Sequence, residues 1–283
     1  MSRPPLPSST LPDSQLWPVP EARSVLNQLD KLDKRELAQV SAQLEDGDRP
    51  VTGPWQVRTD AWTLHTSLTQ RFDDLTGAHE SMAHRVQMNT ELGSLLPKAS
   101  ILAIQEEPGK GAWIWSAKPT LPTLAHYIQH AKDHTDRPAV THALRHYASA
   151  VMTVVRLILR HRYPLRVTPE AFGVQDGRIV YIEHFDGRVG EPTELLNLAS
   201  LLLGEVELHR NWAAAVSAYV NTLDHAIRKQ LHADEVRQLD LVHQFSSTQA
   251  RSTTADIARR RLLRAARSCG STTRPSPPMQ RLG

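Results

Sequence analysis

The sequence predicts a helix-rich α+β fold, with a small strand-bearing part followed by a larger helical part. Three observations predict it. Aromatic and β-branched residues alternate roughly in PWQVRTDAWTLHTSLTQRF, which is strand texture. A connection carrying Pro108, Gly109 and Gly111 joins two apolar runs, 100–106 and 112–117, into a hairpin. Beyond it, apolar residues recur at helical spacing over 121–133 and 138–162; the second run carries Ala148, Val151, Met152, Val155, Leu157 and Leu159.

The elements follow in order. Residues 1–20 carry six prolines among Ser and Thr, and this composition predicts a disordered or polyproline-like leader. Within 21–50, Val25, Leu26, Leu29, Leu32, Leu37, Val40 and Leu44 line one face of an amphipathic helix, broken by Asp46-Gly47-Asp48 and Pro50. Residues 51–117 form the small strand-bearing part, with a helix over 79–96 ahead of the hairpin. Residues 118–246 form the helical part. Its long helix stops at Tyr163-Pro164, and a second hairpin follows over 171–174 and 178–183, turning at Asp176-Gly177, a strong two-residue turn signal. Further helices are expected over 194–203, 209–231 and 233–244.

Composition bounds the function. Hydrophobic residues are 40% and charged residues 22% of 283, the balance of a globular chain with a sizeable core. The single cysteine, Cys269, cannot form an internal disulfide, which fits a reducing compartment. The longest apolar stretches fall short of the roughly 20 residues a spanning helix needs, and prolines stand where a signal peptide needs its apolar core. The expected location is cytoplasmic, with secretion by a route other than Sec left open. The overall charge of +3 divides unevenly: residues 251–283 hold eight arginines and one acid, Asp256, so the tail carries +7 and the rest −4.

That tail, 247–283, is expected to hold one short helix, TTADIARRRLLRAAR, before a disordered end. Arg259, Arg260, Arg261, Arg264 and Arg267 make it a candidate polyanion-binding face, for nucleic acid or an acidic membrane surface. His126, His130 and His134, and then His142 and His146, recur at four-residue steps, the spacing of one helix face. They lack the glutamate of an H-E-x-x-H site, and a solvated polar face is the simpler reading, so no metal and no cofactor are expected. No G-x-S-x-G elbow is present.

The segment PLRVTPEAFGVQDGRIVYIEHFDGR, with its short hairpin, resembles the catalytic and metal-binding loops of protein kinases and related small-molecule phosphotransferases. In that pattern H-R-D-L-x-P-E-N runs into a hairpin and then D-F-G. GAWIWSAKPTLPTLAHYI is similar to the strand, linker and helix that join the two lobes of that fold. The resemblance covers about residues 51–231 and implies a two-lobed fold, a small strand-bearing N-lobe and a larger helical C-lobe. Aligned on Pro169 and Glu170, the family's histidine falls on Pro164, its general base on Arg166, its metal-binding asparagine on Ala171 and its metal-binding aspartate on Glu183.

Those substitutions set the functional expectation. Phosphoryl transfer in this fold needs a phosphate-holding lysine, an acid at the acceptor hydroxyl, and an Asn and an Asp on magnesium. Residues 51–80 contain no lysine, and Gly53 is the only glycine in 51–76, so no Gly-rich loop exists there. The resemblance therefore implies a pseudokinase: a non-catalytic binding or regulatory protein acting through a protein partner. Glu183 is expected to be a strand-end carboxylate paired with a nearby arginine and Arg166 a structural arginine on its loop; the functional alternative is that Arg166 fills the emptied cleft by pairing with Glu183. Two alternatives stay open. One is an atypical magnesium-dependent phosphotransferase using Glu183. The other is a helical adaptor with an arginine-rich, nucleic-acid-binding tail.

Overall fold

The computed structural model describes residues 6–31, 55–66, 71–109, 111–163, 165–183 and 197–271. By its internal contacts the chain divides into two units. The first takes Met1–Tyr127 and Pro169–Gly190, and the second takes Ile128–Thr168 and Glu191–Gly283.

In the first unit the prolines of the leader start structure rather than prevent it. Pro18 precedes helix α1, Val19–Leu29, and Pro20 lies in its first turn, where a missing N–H breaks no helical bond. Leu16 and Trp17 form strand β1. It pairs antiparallel with β4, Ile101–Glu107, setting Leu16 opposite Ala103. Leu11 and Leu16 are buried together with Ala22, Val25, Leu26 and Leu29 of α1. The expectation of a disordered leader is thus corrected for residues 6–20: its leucines pack, and its prolines occupy positions that need no donor. The remainder of the helix expected over 21–50 lies, beyond Lys31, outside the described residues.

The sheet adds β2, Trp55–Arg58, β3, Trp62–Thr66, and β5, Gly111–Pro119, in the order β1-β4-β5-β3-β2, antiparallel throughout. Helix α2, Leu75–Leu92, comes between β3 and β4 in the chain, and the Asp74 side chain caps it by accepting from the Gly77 N–H at 2.8 Å. Alternation along the strands divides the core. Trp113, Trp115, Ala117, Ile101 and Ala103 cluster with α1, whereas Ala112, Ile114, Leu102 and Ile104 cluster with Ala78 and Met82 of α2. The connection between β4 and β5 requires glycine at 111. There φ is 99°, and a Cβ would stand 2.1 Å from the Phe72 carbonyl oxygen.

Strands β6, Phe172–Gln175, and β7, Arg178–Tyr181, form the second hairpin, turning through Asp176 and Gly177 at φ 51° and 74°. The expectation had placed this hairpin in the helical part, 118–246; it belongs to the first unit. Gly173 bridges to Thr123, the Lys98 N–H donates to the Gln175 amide oxygen, and Lys98 Nζ meets Asp176 at 2.9 Å. That lysine, by hydrogen bond and charge, holds the Asp176 carboxyl below its ordinary range.

Helix α3, Leu124–Asp133, leads into the second unit, whose longest helix is α4, Arg137–His161. Asp136 caps α4 by accepting from the Ala139 N–H at 3.0 Å, and Arg162 ends it in the left-handed conformation. Helices α5, Leu198–Leu208, α6, Ala213–Lys229, α7, Ala233–Gln238, and α8, Leu241–Ser247, follow. The Tyr147 ring of α4 stacks on Tyr219 of α6, with centroids 6.1 Å apart, and its hydroxyl donates to the Val167 carbonyl at 2.6 Å. The last helix, α9, spans Thr253–Ser271 and buries Ala255, Ala258, Leu262, Ala265, Ala266 and Cys269. The expected tail with one short helix is, in this stretch, a 19-residue helix packed along α5, α6, α7 and α8. Among the described residues no helix is long and apolar enough to cross a membrane.

Candidate functional site

The end of β5 puts polar groups where its earlier residues are apolar. Ser116 and Lys118 continue the face that carries Ala112 and Ile114, and the register sets His65 of β3 opposite Ser116 and Thr63 opposite Lys118. His65, Ser116 and Lys118 are all buried, which gives one sheet face an apolar half and a polar half.

Lys118 is the centre of this polar half. Only 5% of it is exposed. Its Nζ donates to the carbonyls of Glu183, at 2.5 Å, and Tyr181, at 3.4 Å, and stands 5.4 Å from the Tyr181 ring centroid. Burial pushes the Lys118 pKa down from 10.5 to about 7, with the Glu183 carboxylate acting against that shift. At neutral pH the amine is thus divided between its charged and free forms, held against the chain end that leaves β7.

The same strand end is fixed from behind. Ala171, in the turn Pro169–Ala171, accepts from the Ile182 N–H at 2.9 Å and the Glu183 N–H at 3.3 Å. Phe172 meets Tyr181 edge to face. Gly173 has no room for a side chain, since a Cβ would lie 2.8 Å from Ile182 Cγ2 and 3.2 Å from the Pro122 carbonyl oxygen. Lys118, Tyr181, Ala171 and Glu183 therefore form one hydrogen-bonded set within the first unit.

Of the positions singled out from sequence, Ala171 and Glu183 are brought together here. Arg166 is exposed, in the segment after α4, and belongs to the second unit; Pro164 lies outside the described residues. The cation placed at Glu183 in the first unit is Lys118, which the sequence reading missed. Lys118 lies outside 51–80, and one signal could have found it: it is the single charged residue on the strand GAWIWSAKP.

The five tail arginines do not act alike. Arg259 donates to Asp256 and to the Phe245 carbonyl, and Arg261 reaches Asn221 and Asp224 of α6, so both fasten α9 to its neighbours. Arg260 pairs with Asp256 at 2.7 Å, its side chain 70% exposed. The Arg259 hydrogen bond, with Arg260 beside it, holds the Asp256 carboxyl below its ordinary range. Arg264 and Arg267 are exposed.

The His130 ring stacks on His134, just past the end of α3, and the His142 ring lies tilted against His146 on α4, each pair with centroids 4.2 Å apart. Burial, then His142 and Arg145, lowers the His146 pKa.

Comparison with protein families, with curated protein sequences and with solved structures returns no match to this chain.

Proposed function

We propose that the chain is a degenerate kinase-like protein that binds and regulates a protein partner without transferring phosphate. The observation carrying this reading is Lys118. In the kinase pattern, Glu183 stands at the aspartate that holds magnesium, and here the Lys118 amine lies against its backbone and its charge. Magnesium needs a near-octahedral shell of oxygens. Ala171 offers no side-chain oxygen, and Lys118 places a positive charge beside the one carboxylate that remains. These residues do not fit the metal. The order of elements supports the same reading: strands, a helix, a hairpin, long helices, a small hairpin, then helices. The Lys118–Glu183 set supplies an internal cation in place of nucleotide and metal.

The test is turnover. Full-length protein with magnesium and ATP is expected to release no phosphate, and to label neither itself nor a generic acceptor, above the rate of Glu183→Gln. Turnover lost in that variant would overturn the proposal. Lys118 itself favours a second reading, an atypical phosphotransferase, because it supplies from β5 a cation that residues 51–80 lack. Under that reading Lys118→Met abolishes the turnover; under the first there is none to abolish.

A further inference from the structure

Helix α9 is amphipathic in an unusual division of labour. At about 100° per residue, its buried positions Ala255, Ala258, Leu262, Ala265, Ala266 and Cys269 fill one side, packed on neighbouring helices. Arg260, Arg264 and Arg267 fall within a sector of about 60° on the opposite side, over a rise of roughly 10 Å. The helix is held on both flanks, by Arg259 at Asp256 and Phe245 and by Arg261 at Asn221 and Asp224, and the Ser252 hydroxyl caps its start by accepting from the Ala255 N–H at 3.1 Å. The outward arginines are thus presented on a fixed rod. Asp256 partly compensates Arg260; Arg264 and Arg267 make no ion pair among the described residues.

We propose that this outward face of α9, Arg260, Arg264 and Arg267, docks on the phosphate backbone of duplex DNA without reading its sequence. Guanidinium forks match phosphate oxygens, and a row of them needs no reorganisation to lie along a charged backbone. The chemistry of the face selects this partner over other polyanions. An interfacial membrane helix buries an apolar side among acyl chains, whereas the apolar side of α9 is already covered. Single strands are gripped by stacking on aromatic rings, and α9 carries none. Readers of duplex RNA add contacts to 2′-hydroxyls, yet no hydroxyl or amide side chain lies between Arg260 and Arg267. A stable protein interface needs an apolar centre, and the only large exposed apolar residue on the helix is Ile257.

Fluorescence anisotropy of a labelled duplex, titrated with the full chain at several salt concentrations, tests this. Three arginines releasing counterions predict an affinity that falls roughly 40-fold between about 50 and about 200 mM salt; with Arg264→Gln and Arg267→Gln together the fall shrinks to about 3-fold. Both side chains are exposed, so the double variant is expected to keep the wild-type circular dichroism spectrum and melting midpoint. Removing two exposed arginines elsewhere in the second unit, Arg145→Gln with Arg210→Gln, is expected to leave the salt dependence as it was. No binding at the lowest salt, an unchanged slope in the double variant, or an equal change in the control pair would each overturn the proposal. So would tighter binding to single strands, duplex RNA, anionic vesicles or polyglutamate that depends on Arg264 and Arg267.

Discussion

Replacing Lys118 by methionine exchanges a buried amine for an apolar side chain of similar length, and the difference should be read in pH. In the unfolded chain the lysine keeps its ordinary pKa of 10.5, and in the folded protein burial holds it at about 7. Below pH 7 both states carry the proton, and folding bears the whole penalty of a buried ammonium. Between these two values the unfolded state binds more protons, so wild-type stability rises with pH. The slope is about 1.4 kcal/mol per pH unit and the full climb roughly 5 kcal/mol. Lys118→Met removes this climb. Urea unfolding can be followed by tryptophan fluorescence in a Trp212→Phe background, where Trp17, Trp55, Trp62, Trp113 and Trp115 all report on the first unit. Between about pH 7.5 and about pH 9.5, wild type should gain roughly 3 kcal/mol over the variant. Parallel stability curves would refute the reasoning, because they would mean that Lys118 keeps its ordinary pKa in the folded protein and bears no burial penalty.

Three further outcomes follow from packing. Leu262→Ala is expected to destabilise the second unit by about 2–5 kcal/mol in urea unfolding, since the side chain is wholly buried, and a chain ended after Gln249 should lose that unit's cooperative transition. Gly173→Ala should cost the first unit about 1–3 kcal/mol by the same measurement, because the new Cβ meets Ile182 and the Pro122 carbonyl; wild-type stability would disprove that close approach.

Local chemistry made much of the fold legible. The Pro-Gly connection marked β4 and β5, Asp176-Gly177 marked the turn between β6 and β7, and the three- and four-residue spacing marked α4 to within a residue or so. Three things were not legible, each for a physical reason. Leu6, Leu11 and Leu16 gain burial only from partners distant in the chain, which a proline-rich composition does not reveal. Along α9 the buried seam is mostly alanine, small enough for close packing but faint as a hydrophobic signal beside so many arginines. Lys118 lies on a different strand from the one where the kinase pattern places its lysine, so the pattern drew attention away from it. The positions Ala171 and Glu183 were found because the loop and hairpin are local in sequence; their shared partner is not.

The claim on which this account rests is that the Lys118 and Glu183 set takes the place of nucleotide and metal. Thermal unfolding of the full chain, with and without millimolar magnesium-ATP, tests it most directly. A ligand present at about 100 times its dissociation constant would stabilise the folded state by roughly 2.7 kcal/mol, a shift well within reach of the measurement. Wild type is expected to show no shift. A raised midpoint that Glu183→Ala abolishes would contradict it, and would make this chain a nucleotide-binding protein.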